Sequence, residues 1–383
     1  MIYLDNAATT FPKPASVNSA VSRAMRMYGA NPGRSGHKMS ISSAEEIYKC
    51  RKAIAKLFNF EDESNIVFTL NCTQCVNMVL KGILKPGDHA VVSCLEHNAV
   101  MRPVKKLNDQ GVNFTIANIF PGNDEKTLDS FRKSLNERTK LIVCMHASNV
   151  WGIKLPIERI SAMGRQYGIP TMVDAAQSAG VIPIDLTLNK IDFLCMAGHK
   201  GLMGPMGTGV LIVRNSENLN TIIEGGTGTG LQSLYQPEIM PDKLESGTPN
   251  MPGIAGLRAG VEFINRTRVN RIFKHEFDLI VRLYDKLSKI KCVKLYTNRP
   301  DPEHCVPLLS FNIKGKDSEM VADFLNKEGI AVRAGMHCAP LAHNFYNTLE
   351  TGAIRVCPSY FTKTSDIDYF VMTIKRFEKK YII

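Results

Sequence analysis

The chain has 383 residues, more than one ordinary hydrophobic core takes up, so a larger and a smaller domain are expected. Hydrophobic residues make up 44% and charged residues 22%, the balance of a soluble globular protein, and no apolar run has the length of a membrane-spanning helix. Lysine and arginine exceed aspartate and glutamate by 47 − 36 = 11, but the basic residues are scattered and form no block interleaved with aromatics, so no nucleic-acid partner is expected.

The opening Met1-Ile2-Tyr3-Leu4-Asp5-Asn6 has no basic region or leader-like apolar core, which makes the cytoplasm the expected location. Helical spacing of apolar residues predicts a helix over 41–58, followed by a short strand at 66–69 and a helix at 74–84. Strands at 89–93 and 140–145 flank a helix at 97–110, and a helix at 157–167 ends near Gly168 and Pro170. Strands at 171–174, 192–196 and 208–213 complete an alternation that implies an α/β fold, a mostly parallel sheet covered by helices on both faces.

Residues 214–253 are rich in Gly, Thr and Pro and read as an irregular excursion. Helices near 254–266 and 270–290 lead into a smaller α+β unit with a strand near 308–313, a helix near 317–327, the segment 330–333 and a closing helix near 365–380. The expected division is an N-terminal segment 1–15 packing with the small domain, a large domain 16–260 and a small domain 261–383. Cys50, Cys94, Cys144, Cys195 and Cys292 lie in apolar patterns where cysteine packs as a small hydrophobe, so no disulfide framework is implied.

Lys200, in Gly198-His199-Lys200-Gly201, follows Asp174 by 26 positions. A lysine for a Schiff base and an upstream acid for a pyridinium nitrogen are what pyridoxal phosphate requires, and both residues fall at predicted strand ends, where such sheets bind ligands. In Thr69-Leu70-Asn71-Cys72-Thr73-Gln74-Cys75 a strand gives way to a helix, so the amides around Cys72 and Thr73 and the Thr73 hydroxyl suit a phosphate; equally, Thr73 suits a helix cap. The C-x-x-C within it lacks a second pair and is not taken as a zinc or redox motif. The glycine run 225–230 lacks the strand, helix and acid of a dinucleotide loop.

Arg333-Ala334-Gly335-Met336-His337-Cys338-Ala339-Pro340 is too punctuated for a packed helix, and its histidine and arginine suit an accessible thiolate at Cys338; a buried structural cysteine is the other reading. His337, Cys338 and His343 lack a fourth ligand at a zinc spacing, so no metal is expected. Arg333 and Arg355 are each suited to a substrate carboxylate or to an ion pair.

Together these motifs resemble the cysteine desulfurase family, in the class-V aminotransferase branch of fold-type I pyridoxal-phosphate enzymes. The resemblance is carried in order by Tyr3-Leu4-Asp5-Asn6-Ala7-Ala8, Glu96-His97-Asn98-Ala99, His146-Ala147-Ser148-Asn149, Asp174-Ala175-Ala176-Gln177, Gly198-His199-Lys200 and Gly247-Thr248-Pro249-Asn250. It implies that Lys200 carries pyridoxal 5'-phosphate and moves the Cα proton, that His97 stacks on its ring, and that Asp174 pairs with the ring nitrogen. Gln177 and Asn149 would meet the phenolic oxygen and substrate groups. Cys72, Thr73 and His199 would hold the phosphate, with Thr248 reaching it from the other subunit of a homodimer. Arg355, with Arg333 and Asn149 beside it, would bind the carboxylate of L-cysteine. Cys338 would accept the sulfur as a persulfide and pass it to an acceptor protein, as in iron–sulfur cluster assembly. The Arg-x-Gly-x-His-Cys surroundings resemble the short-loop group, some of which also take L-selenocysteine. The chain departs from the family pattern at Asn71-Cys72, Ala197, Met336 and Trp151.

Overall fold

The structure, a computed structural model, describes residues 1–33, 36–229 and 232–382. A seven-stranded sheet runs in the order Ile66–Thr69, Gly209–Val213, Phe193–Ala197, Thr171–Asp174, Thr139–Met145, His89–Ser93, Asn113–Ala117. The last five strands pair in parallel, and Gly209–Val213 is antiparallel to both of its neighbours. Because side chains alternate across a strand, Ile142 and Cys144 join the core on one face while Leu141 and Val143 join the core on the other. Covering both faces with helices is what makes these strands near-continuous apolar runs, and hence visible in the sequence.

Three elements of five or more residues in this layer escape the sequence reading. Strand Asn113–Ala117 lies at the sheet edge with largely exposed side chains, so it lacks an apolar run. Helix Asp124–Ser134 buries only Thr127, Leu128 and Phe131, and helix Ala15–Met27 only Val17 and Ala24, stripes too narrow to stand out.

A second, three-stranded antiparallel sheet has the order Ile354–Val356, Leu309–Ile313, Val293–Leu295. Helices Val269–Leu287, Ser318–Lys327 and Thr364–Tyr381 share its core, and Leu4 is buried in the same cluster. Ile2–Tyr3 pairs in parallel with Ile330–Ala331, which ties the start of the chain to this unit. Among the described residues no helix is long and apolar enough to cross a membrane.

Candidate active site

The carboxyl ends of the parallel strands converge on a cavity of about 200 Å³. Asp174 closes its own strand, Lys200 and His199 follow strand Phe193–Ala197, Asn149 follows Thr139–Met145, and His97 stands between strand His89–Ser93 and the helix Asn98–Asn108. All of these line the cavity, with Gln177, Cys72 and Thr73. The chain can turn sharply after Ala197 because Gly198 has no side chain: a Cβ there would lie 2.2 Å from Thr208 Oγ1 and 2.9 Å from the Thr208 carbonyl.

The N-terminal segment fixes this turn from outside. The His199 carbonyl accepts from the Thr10 N–H at 3.1 Å, from Thr9 Oγ1 at 3.0 Å and from the Lys13 ammonium, and the Lys200 carbonyl accepts from Thr10 Oγ1 at 2.9 Å. Burial lowers the pKa of Lys13 to about 8.

Among the described residues the Lys200 amine itself has no hydrogen-bond or ion-pair partner. Burial lowers its pKa, partly opposed by the Asp174 carboxylate, so more of it is in the neutral form that attacks a carbonyl. Asp174 Oδ1 accepts from the Ala176 N–H at 2.9 Å and from the Cys72 thiol at 3.5 Å. His97 Nδ1 accepts the Ala99 N–H at 3.0 Å, which places the ring proton on Nε2, and burial keeps the imidazole neutral. Burial likewise brings His199 down to about 4, and its Nδ1 is buried without a partner.

Asn71 caps helix Cys72–Ile83, its side chain accepting from the Gln74 N–H at 3.0 Å. The cap is therefore Asn71 and not Thr73. Thr73 lies in the first turn, and its amide and that of Cys72 belong to the set a helix leaves unpaired. Cys75 turns into the core, bonded to Thr69 Oγ1 at 3.0 Å, so the two cysteines of the C-x-x-C face different surroundings.

Of the ten cysteines, nine are buried or half-buried and only Cys338 is exposed, which removes the structural reading of it. His337 and Cys338 take φ of +48° and +57°, a left-handed pair that costs on the order of 1 kcal/mol per residue. Three hydrogen bonds hold it. Asn149 Nδ2 donates to the His337 carbonyl at 2.8 Å, His337 Nε2 to the Ala353 carbonyl at 2.9 Å, and the Asn98 N–H to the Cys338 carbonyl at 2.8 Å. Burial and the neighbouring Arg355 push His337 down to about 2, so it is a neutral strut. Arg333 Nη2 lies 3.7 Å from the Cys338 sulfur.

Arg355 is 1% exposed; its Nη2 donates to Asp5 Oδ1 at 2.7 Å and its Nη1 to the Asn149 carbonyl at 2.9 Å. Thr248 does not join these residues: it is exposed, accepts from Asn31 Nδ2 at 3.1 Å, and lines a separate cavity of about 420 Å³. Gly230, part of the glycine run, lies outside the described residues.

Glu96 was given no role by the sequence reading. Its side chain is buried, Oε1 accepts from Ser93 Oγ and the Met145 N–H, both at 2.6 Å, and burial raises its pKa to about 8. A lone acid between the buried run ending in Leu95 and His97 was the available signal. Asp5 was missed because its partner is 350 positions away.

An α/β sheet with a desolvated lysine and an ionisable acid at its strand ends defines a class of cofactor-dependent enzyme. The chain belongs to the class-V aminotransferase family, whose model it matches over residues 2–370, and members of that family depend on pyridoxal phosphate. It is 32% identical to a probable cysteine desulfurase of Methanothermobacter thermautotrophicus over 98% of this chain and 94% of that one, and 31% identical to one of Xylella fastidiosa over 99% and 91%. The apo structure of a cysteine desulfurase from Thermococcus onnurineus superposes with a TM-score of 0.91 at 29% identity, covering 99% of this chain and 94% of the other. A cysteine desulfurase of Escherichia coli in an S-sulfonic acid form gives 0.87 at 28%, covering 98% and 94%.

The residues present fit that cofactor. The cavity offers a partnerless amine, an acid, a neutral imidazole, the open first turn of a helix, and buried atoms, His199 Nδ1 and Asn149 Oδ1, that lack a protein partner. Buried polar atoms of this kind are costly unless something pairs with them.

Proposed function

We propose that this protein is a cysteine desulfurase that converts L-cysteine to L-alanine and collects the sulfur on Cys338. The observation that carries the reading is the pairing of two nucleophiles of opposite setting: the desolvated Lys200 amine inside the cavity, and the exposed Cys338 thiol on a strained turn bonded to the helix that starts beside His97. Pyridoxal phosphate, when bound, supplies an electron sink for the Cα–H bond.

Lys200 holds the cofactor and then moves the Cα proton. Asp174 would pair with the ring nitrogen of the cofactor, His97 would stack on its ring, and Gln177 and Asn149 would meet its phenolic oxygen and nearby substrate groups. Cys72, Thr73 and His199 receive the phosphate. Arg355 orients the substrate carboxylate, with Arg333 near the Cys338 sulfur. The thiolate of Cys338 then forms an S–S bond to the substrate sulfur as the C–S bond breaks, which leaves a persulfide for an acceptor protein.

The protein is proposed to act as a homodimer in the cytoplasm, with 16–260 as the cofactor-binding unit and 261–383 as the unit that carries Cys338. Support for a dimer comes from the exposed apolar side chains Leu234, Tyr235 and Ile239 on the excursion that also carries Thr248, with Met206 exposed shortly before it.

The test is product analysis with L-cysteine and L-selenocysteine side by side, with and without a small thiol reductant. Cys338→Ser should abolish alanine formation from cysteine, and full activity in that variant would overturn the reading. Activity kept only toward selenocysteine would identify a selenocysteine lyase instead.

A further inference from the structure

Arg355 is buried, yet its guanidinium is only partly satisfied. Asp5 pairs with it through one contact, Oδ1 to Nη2 at 2.7 Å, and the Asn149 carbonyl takes Nη1, while Nε is buried with no partner. A bidentate fork would use two parallel N–H groups on one carboxylate. Asp5 is held by backbone rather than by the arginine: it bridges to Cys357, its carbonyl accepts the Ala8 N–H at 3.0 Å, and Cys357 N–H donates to the Leu4 carbonyl at 2.8 Å. The arginine is placed as firmly, since its N–H donates to the Arg333 carbonyl at 2.8 Å from strand Ile354–Val356.

We propose that Asp5 is a positioning residue that serves as the resting counter-ion of Arg355, fixing the guanidinium for a substrate carboxylate while restraining how tightly that carboxylate is held. This rests on the reading that Arg355 binds the substrate carboxylate. The physical argument is one of charge. A buried guanidinium without a partner is costly, so a fixed anion keeps it in place when the cleft holds no substrate. Because that anion makes a single contact, the Nε–H stays unpaired, and a carboxylate that reaches the guanidinium joins the pair rather than displacing Asp5. Meeting a neutralised pair instead of a bare cation, it binds less tightly and leaves as alanine more readily.

Asp5→Asn separates the two effects, since it keeps the oxygen acceptor and removes the charge. The cofactor-loaded protein is titrated calorimetrically with L-alanine and with ethylamine, which is alanine without its carboxylate, and KM and kcat for L-cysteine are measured alongside. The expected result is an alanine Kd about fivefold lower, a change in cysteine turnover that falls on KM rather than kcat, and no change for ethylamine. The free protein should also melt lower than the wild type, with alanine restoring more of the loss. An alanine Kd within twofold of wild type, or a raised one, would overturn the proposal; Asp5→Ser, smaller and also uncharged, decides it if Asp5→Asn folds poorly. Arg355→Met tells the two levels apart. If it weakens alanine binding and Asp5→Asn does nothing, only the role of Asp5 fails; if it leaves alanine binding unchanged, the carboxylate reading of Arg355 fails and the Asp5 proposal with it.

Discussion

The backbone N–H of Asn98 donates to the carbonyl of Cys338 at 2.8 Å, so the first residue of the helix that follows His97 also holds the exposed thiol. The turn that carries Cys338 is thus fixed to the helix that follows His97 through a main-chain contact.

That contact can be removed almost in isolation. Asn98 is the first residue of its helix, where proline is tolerated, and His97 before it is already extended, with ψ of 157°. Asn98→Pro should therefore leave the melting temperature nearly unchanged but lower the rate of alanine formation about fivefold, the equivalent of one hydrogen bond worth about 1 kcal/mol. Steady-state kinetics with a thermal melt on the same sample checks both halves, and an unchanged rate would show that the turn at Cys338 stands without it.

Replacement of Lys200 addresses the cofactor. Purified wild-type protein should carry a visible absorption band, and Lys200→Ala should lack it and form no alanine. A colourless wild type that gains no band on adding pyridoxal phosphate would contradict the assignment.

How much of this was legible in the sequence follows from burial and distance. Strands buried on both faces are apolar throughout, so the ends that carry Asp174, His199 and Lys200 could be placed from pattern alone, whereas Asn149 was reached only through the family resemblance. The edge strand Asn113–Ala117 gives no such signal. Nor does any local pattern announce that Asp5 meets Arg355, or that Thr248 opens onto a cavity away from Lys200, because those placements are made by tertiary packing across the chain.

Stability should depend on pH from both sides. Burial raises Glu96 and Glu276 from 4.5 to about 8, so each favours the fold while protonated and loses that contribution as pH climbs from 4.5 to about 8. Burial lowers His146 from 6.5 to about 3 and His337 to about 2, so each favours the fold while neutral and loses its contribution as pH falls below 6.5 toward those values. With His199, which burial lowers to about 4, three histidine slopes outweigh the two glutamate slopes between 4.5 and 6.5, so stability should peak near pH 6.5 and decline on either side. Melting temperature against pH checks this, and Glu96→Gln should flatten the alkaline limb; a melting temperature still rising between pH 6.5 and 8 would refute the assignment.

Gly198→Ala should disturb the Lys200 turn directly, since the new Cβ would overlap Thr208 through both its hydroxyl and its carbonyl. A loss of about 1–3 kcal/mol in stability is expected, together with weaker cofactor uptake, measurable by thermal melts and equilibrium dialysis.

The hold of the N-terminal segment on two distant places also orders the assembly of the molecule in time. Thr10 reaches Lys200 across 190 residues, whereas Asp5 reaches Arg355 across 350. As synthesis proceeds from the N-terminus, the partners that brace the lysine exist long before those that complete the arginine. The lysine end of the cleft can be built on a nascent chain whose Arg355 and Cys338 have yet to be translated, so Asp5 is locked in place later than Thr10.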